Sequence, residues 1–192
     1  IYTMQVGDVK CWDILQPNLY DVTYELLDGN AVIDTVQSYF GFRTVELREH
    51  SLWLNGRPIF QRLVLDQGYY PDGVYTAPTD ADLKRDIELS IALGFNGARL
   101  HQKVFEPRFL YHCDRLGYLA WGEMANWGFD HSSYSGYEAF IPEWIQAIER
   151  DFNHPSIVGW CPFNETWDEK GRKQFDELLA TVYKATKAAD PT

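Results

Sequence analysis

Asn96-Gly97-Ala98-Arg99-Leu100-His101, then Pro107 to Leu116, then Tyr118-Leu119-Ala120-Trp121-Gly122, reads as strand, helix, strand. The outer pieces are short and apolar, as buried parallel strands are. The middle piece opens on a proline and is followed by Gly117, the expected pair of helix start and stop signals. The unit recurs on both sides. Upstream, Phe60 to Leu65 is a short apolar run. Thr79-Asp80-Ala81-Asp82 then resembles a capping box, and Leu83, Ile87 and Ile91 repeat at helical spacing before Gly94. Downstream, a helix is predicted from about Pro142 with Ile145, Ile148 and Phe152 inward. The strand Ile157-Val158-Gly159-Trp160-Cys161 follows it. A last helix carries Phe175, Leu178, Leu179, Val182 and Tyr183 on one face.

Strands alternating with helices indicate βα units on a parallel sheet, and hence an α/β fold. An open doubly wound sheet and a closed (β/α)8 TIM barrel compete. No Gly-rich phosphate loop follows any of these strands, which weakens a nucleotide-linked enzyme on an open sheet. Polar residues gather instead at the strand C-terminal ends: Asp66, Arg99 with His101, Glu123, and Asn164 with Glu165. A barrel puts its chemistry there. Only the first four βα units fit, so the barrel would be partial.

The first fifty residues read differently. Tyr20 to Leu26 alternates apolar and polar residues, Asp28-Gly29-Asn30 supplies a turn, and a second strand runs from Ala31 to about Phe42. Alternation resumes at Thr44 to Leu47. Asn55-Gly56, between Leu52-Trp53-Leu54 and Ile59-Phe60, is a strong hairpin signal. The chain lacks a flexible linker at the changeover, so the two parts should pack directly.

Composition excludes some functions. The chain has 192 residues and a net charge of -11. That charge disfavours nucleic acid and anionic membrane surfaces, which call for a basic footprint. No apolar run approaches the roughly eighteen residues of a membrane span. Ile1 to Val6 alternates like a strand and has no basic leader; lacking an initial Met, the chain is expected to be part of a longer one, so its localisation is unread. Cys11, Cys113 and Cys161 are odd in number and far apart, arguing against a disulfide framework or a paired zinc site. His112-Cys113 falls in a helix, where adjacent residues diverge.

Glu165 follows an apolar strand that stops at Pro162. A carboxylate there is expected to face a partly desolvated cavity, which favours its protonated form and suits a general acid. Asn164-Glu165-Thr166 could equally open a loop and cap the next helix. Asn164 offers a donor and an acceptor to a substrate hydroxyl. Glu123 ends the preceding strand and is read as a partner of Arg99. Arg99 and His101 alternate on one side of their strand. Trp121, Trp127 and Trp167 are ring-stacking candidates that could also be simple packing. His131 could reach the cleft from its loop, whereas His50 and His154 read as structural.

These residues occur in a recognisable order. Gln16-Pro17-Asn18-Leu19-Tyr20, Phe40-Gly41-Phe42-Arg43, Leu54-Asn55-Gly56-Arg57-Pro58, Asn96-Gly97-Ala98-Arg99, Cys113-Asp114-Arg115-Leu116-Gly117 and Arg150-Asp151-Phe152-Asn153-His154-Pro155-Ser156-Ile157 lead to Trp160 and Asn164-Glu165. Together they resemble the family 2 glycoside hydrolases, which include β-galactosidases, β-glucuronidases and β-mannosidases. The resemblance implies that residues 1–46 are closing strands of an immunoglobulin-like β-sandwich and 47–192 the first half of a catalytic barrel. It implies a carbohydrate substrate, a retaining mechanism, Glu165 as acid/base, Asn164 on the sugar 2-hydroxyl and Arg99 ordering the carboxylates. His101, Glu123 and Trp121 complete the expected substrate-binding set. The nucleophile would be a second glutamate on the seventh strand, beyond Thr192, so this chain alone should be inactive.

The sequence also departs from the family. Ser-His-Tyr-Pro is usual shortly after the arginine, whereas this chain has Leu100-His101-Gln102-Lys103, with its histidine one position early and hence on the opposite strand face. Phe163 replaces a common Gly. Met124-Ala125-Asn126-Trp127 lacks the magnesium ligands of some members, so no metal or cofactor is expected. A half barrel would leave unpaired strand edges, and self-association is expected. A non-catalytic carbohydrate-binding or interaction module is the alternative reading.

Overall fold

The computed structural model describes residues 3–168 and 171–192. The strand read at 1–6 begins outside them, and residues 3–6 form no strand. β1 (Tyr20–Asp28) and β2 (Ala31–Phe40) form an antiparallel hairpin. β3 (Val45–Arg48), β4 (Ser51–Leu54) and β5 (Arg57–Ile59) form a second sheet. Its tight turn has Asn55 at φ 51° and Gly56 at φ 73°. Two successive left-handed residues match the twist of the flanking strands.

The remainder alternates as expected: β6 (Leu63–Asp66), α1 (Asp80–Ala92), β7 (Gly97–Leu100), α2 (Pro107–Leu116), β8 (Leu119–Glu123), α3 (Tyr134–Asp151), β9 (Ile157–Cys161) and α4 (Asp176–Ala189). The strands form one parallel sheet in the order β6-β7-β8-β9. Every strand therefore delivers its C-terminal end to the same rim. Thr79 caps α1, its hydroxyl accepting the Asp82 N–H at 3.3 Å. Gly117 closes α2 at φ 71°, where the Ile14 carbonyl leaves no room for a side chain.

Two apolar layers sandwich the sheet. On the helix side, Leu83, Ile87, Leu100, Phe109, Leu110, Ala120 and Ile157 form one core. On the other, Trp12 and the β4 residues Leu52 and Leu54 pack on Leu119 and Val158. The two parts do pack directly. The Trp12 indole N–H donates to the Asp114 carbonyl at 2.7 Å, and Arg43 donates to the carbonyls of Pro155 and Ile157.

Some side chains differ from expectation. α3 starts at Tyr134, not near Pro142, which lies inside the helix. Tyr137 and Phe140, ahead of that proline, are buried with Trp144 and Ile148, and their packing offsets the lost backbone bond. Phe152 is 42% exposed because the helix ends before it, and Ile91 and Tyr183 also face outward.

Candidate active site

Arg99, at the end of β7, organises the rim. Its Nε donates to Glu123 Oε2 at 2.7 Å, and its Nη2 donates to Asn164 Oδ1 at 2.7 Å. The Glu123 side chain is fully buried, and its other oxygen accepts the Gln102 N–H at 3.0 Å. The hydrogen bond to Glu123 holds the Arg99 guanidinium above its ordinary range, against the opposing effect of burial. The ion pair read from sequence is thus present, and it also reaches Asn164.

A second set of bonds fixes Asn164 through its backbone. Asn126 Oδ1 accepts the Asn164 N–H at 2.8 Å, and Asn126 Nδ2 donates to the Asn164 carbonyl at 3.0 Å. Gln102 holds Asn126 in turn: its Nε2 donates to Asn126 Oδ1 at 2.6 Å, and its Oε1 accepts the N–H groups of Asn126 and Trp127. Sequence reasoning missed both amides.

Glu165 differs from expectation in its environment. It is exposed rather than desolvated, with φ 52°. The strand ends before Pro162, and Glu165 takes a left-handed backbone, a costly conformation without glycine. Its side chain lines a cavity of about 220 Å³ with Asn126, Trp127, Phe129, His131 and Trp167. His131 reaches this cavity, as its loop position allowed, and lies 3.3 Å from Asn126 Nδ2.

Other predicted residues fall elsewhere. β7 ends at Leu100, so His101 sits in a turn rather than beside Arg99 on a strand face. It is buried, with Nδ1 2.9 Å from Gln67 Nε2 and its ring edge-on to Trp127. Trp121 lies one inward-facing position below Glu123 and belongs to the floor. Its N–H donates to Gln61 Oε1 at 2.8 Å and its ring covers Gly159, where an added Cβ would come within 2.8 Å of the indole. Asp66 accepts the Gly68 N–H at 2.8 Å, and burial raises its pKa. His154 is structural: its Nδ1 lies 2.6 Å from the buried Asp114 carboxylate, which also accepts the Tyr39 hydroxyl. His50 is an exposed turn residue.

A parallel βα sheet with a carboxylate, an arginine and amides along its C-terminal rim defines an α/β enzyme-type scaffold. Family comparisons make the class specific. The model described as "Glycosyl hydrolases family 2" matches residues 1–43, and "Glycosyl hydrolases family 2, TIM barrel domain" matches residues 45–192. The chain belongs to glycosyl hydrolase family 2. It is 32% identical over 172 residues to a β-galactosidase of Vibrio vulnificus, covering 85% of this chain and 17% of that protein. With a β-galactosidase of Photobacterium profundum it shares 31% over 196 residues, covering 94% and 19%. The chain thus spans about a fifth of the length of these curated relatives. The β-glucuronidase of Ruminococcus gnavus in complex with D-glucuronic acid superposes with a TM-score of 0.83 at 24% identity, covering 96% of this chain and 32% of that one. This last likeness speaks to the fold alone.

Proposed function

We propose that the protein containing this chain is a retaining β-glycosidase acting on β-galactoside-like or β-glucuronide-like substrates, with Glu165 as its general acid/base. The observation carrying this reading is the convergence of Asn126 and of Arg99, itself held by Glu123, on Asn164, the residue before Glu165. In the first step Glu165 gives its proton to the glycosidic oxygen as the bond to the anomeric carbon breaks. In the second it takes a proton from the incoming water. Asn164 holds the sugar 2-hydroxyl, and Arg99 keeps Asn164 and Glu123 in register. Residues 1–46 would close an immunoglobulin-like β-sandwich and 47–192 would supply the first four units of a (β/α)8 barrel. The nucleophile, a second glutamate, would stand on the seventh strand. This chain alone would lack hydrolytic activity.

The test is the leaving-group dependence of the full-length enzyme. Glu165→Ala should cost about 10²- to 10⁴-fold on a substrate with a poor leaving group, and far less on one that departs without acid assistance. Equal losses on both would count against the assignment. Among the described residues, β6 and β9 each leave one edge unpaired, and Leu65 and Leu93 are more than half exposed. Self-association through these edges is part of the same reading.

A further inference from the structure

Gln102, in the turn after β7, has a left-handed backbone at φ 57°. That conformation is costly for a residue with a side chain and persists only where the surroundings impose it. Here both backbone groups are held. The N–H donates to Glu123 Oε1 at 3.0 Å, and the carbonyl accepts the Tyr75 hydroxyl at 2.9 Å. Glycine would fit this backbone without strain, so what the strain secures is the glutamine side chain.

That side chain is committed inside the protein. Its Nε2 donates to Asn126 Oδ1 at 2.6 Å, and its Oε1 accepts the N–H groups of Asn126 and Trp127 at 2.9 and 3.0 Å. A carboxamide has two donor and two acceptor positions, and three of these four are thereby used. Asn126 passes the constraint on, since its amide brackets the N–H and carbonyl of Asn164.

These bonds close a circuit. One path leaves the Gln102 N–H for Glu123, continues to Arg99 and ends on the Asn164 side chain. The other leaves the Gln102 side chain for Asn126 and ends on the Asn164 backbone. Asn164 is thus gripped by its side chain along one path and by its backbone along the other. Gln102 is where the two meet. Opening the circuit there lets the two grips shift against each other.

We propose that Gln102 is a positioning residue for glycoside cleavage: by joining the two arms that hold Asn164, it fixes the aim of the Asn164 carboxamide at the sugar 2-hydroxyl. The proposal rests on Asn164 making that contact in the whole enzyme. Gln102 acts through Asn126 and not on the substrate.

The experiment measures, in the full-length enzyme, kcat/KM on an aryl β-galactoside and on its 2-deoxy counterpart, or on the β-glucuronide pair if that is the sugar cleaved. The two substrates share a leaving group, so acid assistance by Glu165 cancels in their ratio. Both also meet the same active molecules, so the folded fraction cancels as well. Gln102→Gly keeps the left-handed backbone and its N–H, and removes only the side-chain link. Gln102→Leu removes the same link at similar bulk. Each should lower the 2-hydroxy-to-2-deoxy ratio about tenfold, less than the roughly hundredfold that a 1 Å misplacement can cost. Asn164→Ala should lower it further, because the 2-hydroxyl contact strengthens in the transition state. An unchanged ratio in either Gln102 variant, with a lowered one in Asn164→Ala, would overturn the positioning role. An unchanged ratio in Asn164→Ala would instead remove the 2-hydroxyl reading and this proposal with it.

Discussion

Asn126 and Asn164 pair through one complete side-chain amide and one complete backbone unit, at 2.8 and 3.0 Å. Both residues are buried, so neither bond is exchanged with water at no cost. Asn126→Ala leaves a buried N–H and a buried carbonyl of Asn164 without these partners. The loss should be about 1–3 kcal/mol in urea unfolding. Asn126→Asp keeps the acceptor but sets a carboxylate oxygen against the buried Asn164 carbonyl, and should lose at least as much. Equal stability of the alanine variant and wild type would contradict the pairing.

Arg99→Lys tests the fork at the rim. A lysine cannot address Glu123 and Asn164 together with the geometry of two guanidinium nitrogens. Arg99→Ala would remove the cation paired with the buried Glu123 carboxylate and leave the Gln102 N–H bond in place. Breaking a fully buried pair costs about 3–5 kcal/mol; with the Arg99 side chain 35% exposed, about 2–3 kcal/mol is expected. Thermal unfolding of both variants checks the order, with lysine the milder.

Asp66 should destabilise the fold when charged. Burial raises its folded-state pKa, so its favourable contribution is complete below the ordinary carboxylate range and is lost as pH rises through the raised value. Asp66→Asn keeps an oxygen for the Gly68 N–H and removes the charge. It should therefore raise the melting temperature at pH 7 and have little effect near pH 3. A larger gain at pH 3 than at pH 7 would reverse the sign and reject the argument.

The thiols should differ in reactivity. Burial raises Cys161 to about 11 and also pushes Cys113 well above the usual thiol range, while Cys11 is exposed. A thiolate-selective disulfide reagent at pH 8 should modify Cys11 promptly and the other two only after denaturant is added. Rapid release of three equivalents from the native chain would disagree.

How much of this was readable in advance depended on the kind of signal. Period and punctuation revealed β7, α2 and β8, because Pro107 and Gly117 mark the helix ends chemically. α3 lacked such a mark. Its N-terminal Ser133 makes no side-chain capping bond, and Pro142 imitates a start while standing mid-helix. Arg99, Glu123, Asn164 and Glu165 could be found because strand ends share a rim. Gln102 and Asn126 could not, since amides have no periodic signature and their meeting spans 24 residues. Glu165 has a left-handed backbone, which local sequence does not announce.

The link from Trp12 to Asp114 has a consequence for biosynthesis. The two residues are 102 positions apart, so Trp12 emerges from a ribosome about 5–20 s before its partner at about 5–20 residues per second. Tyr39 waits for His154 across 115 positions. During that interval the β1–β2 hairpin has no surface from this half of the chain to settle on. The nascent protein therefore carries the β1–β2 hairpin without this docking surface for seconds.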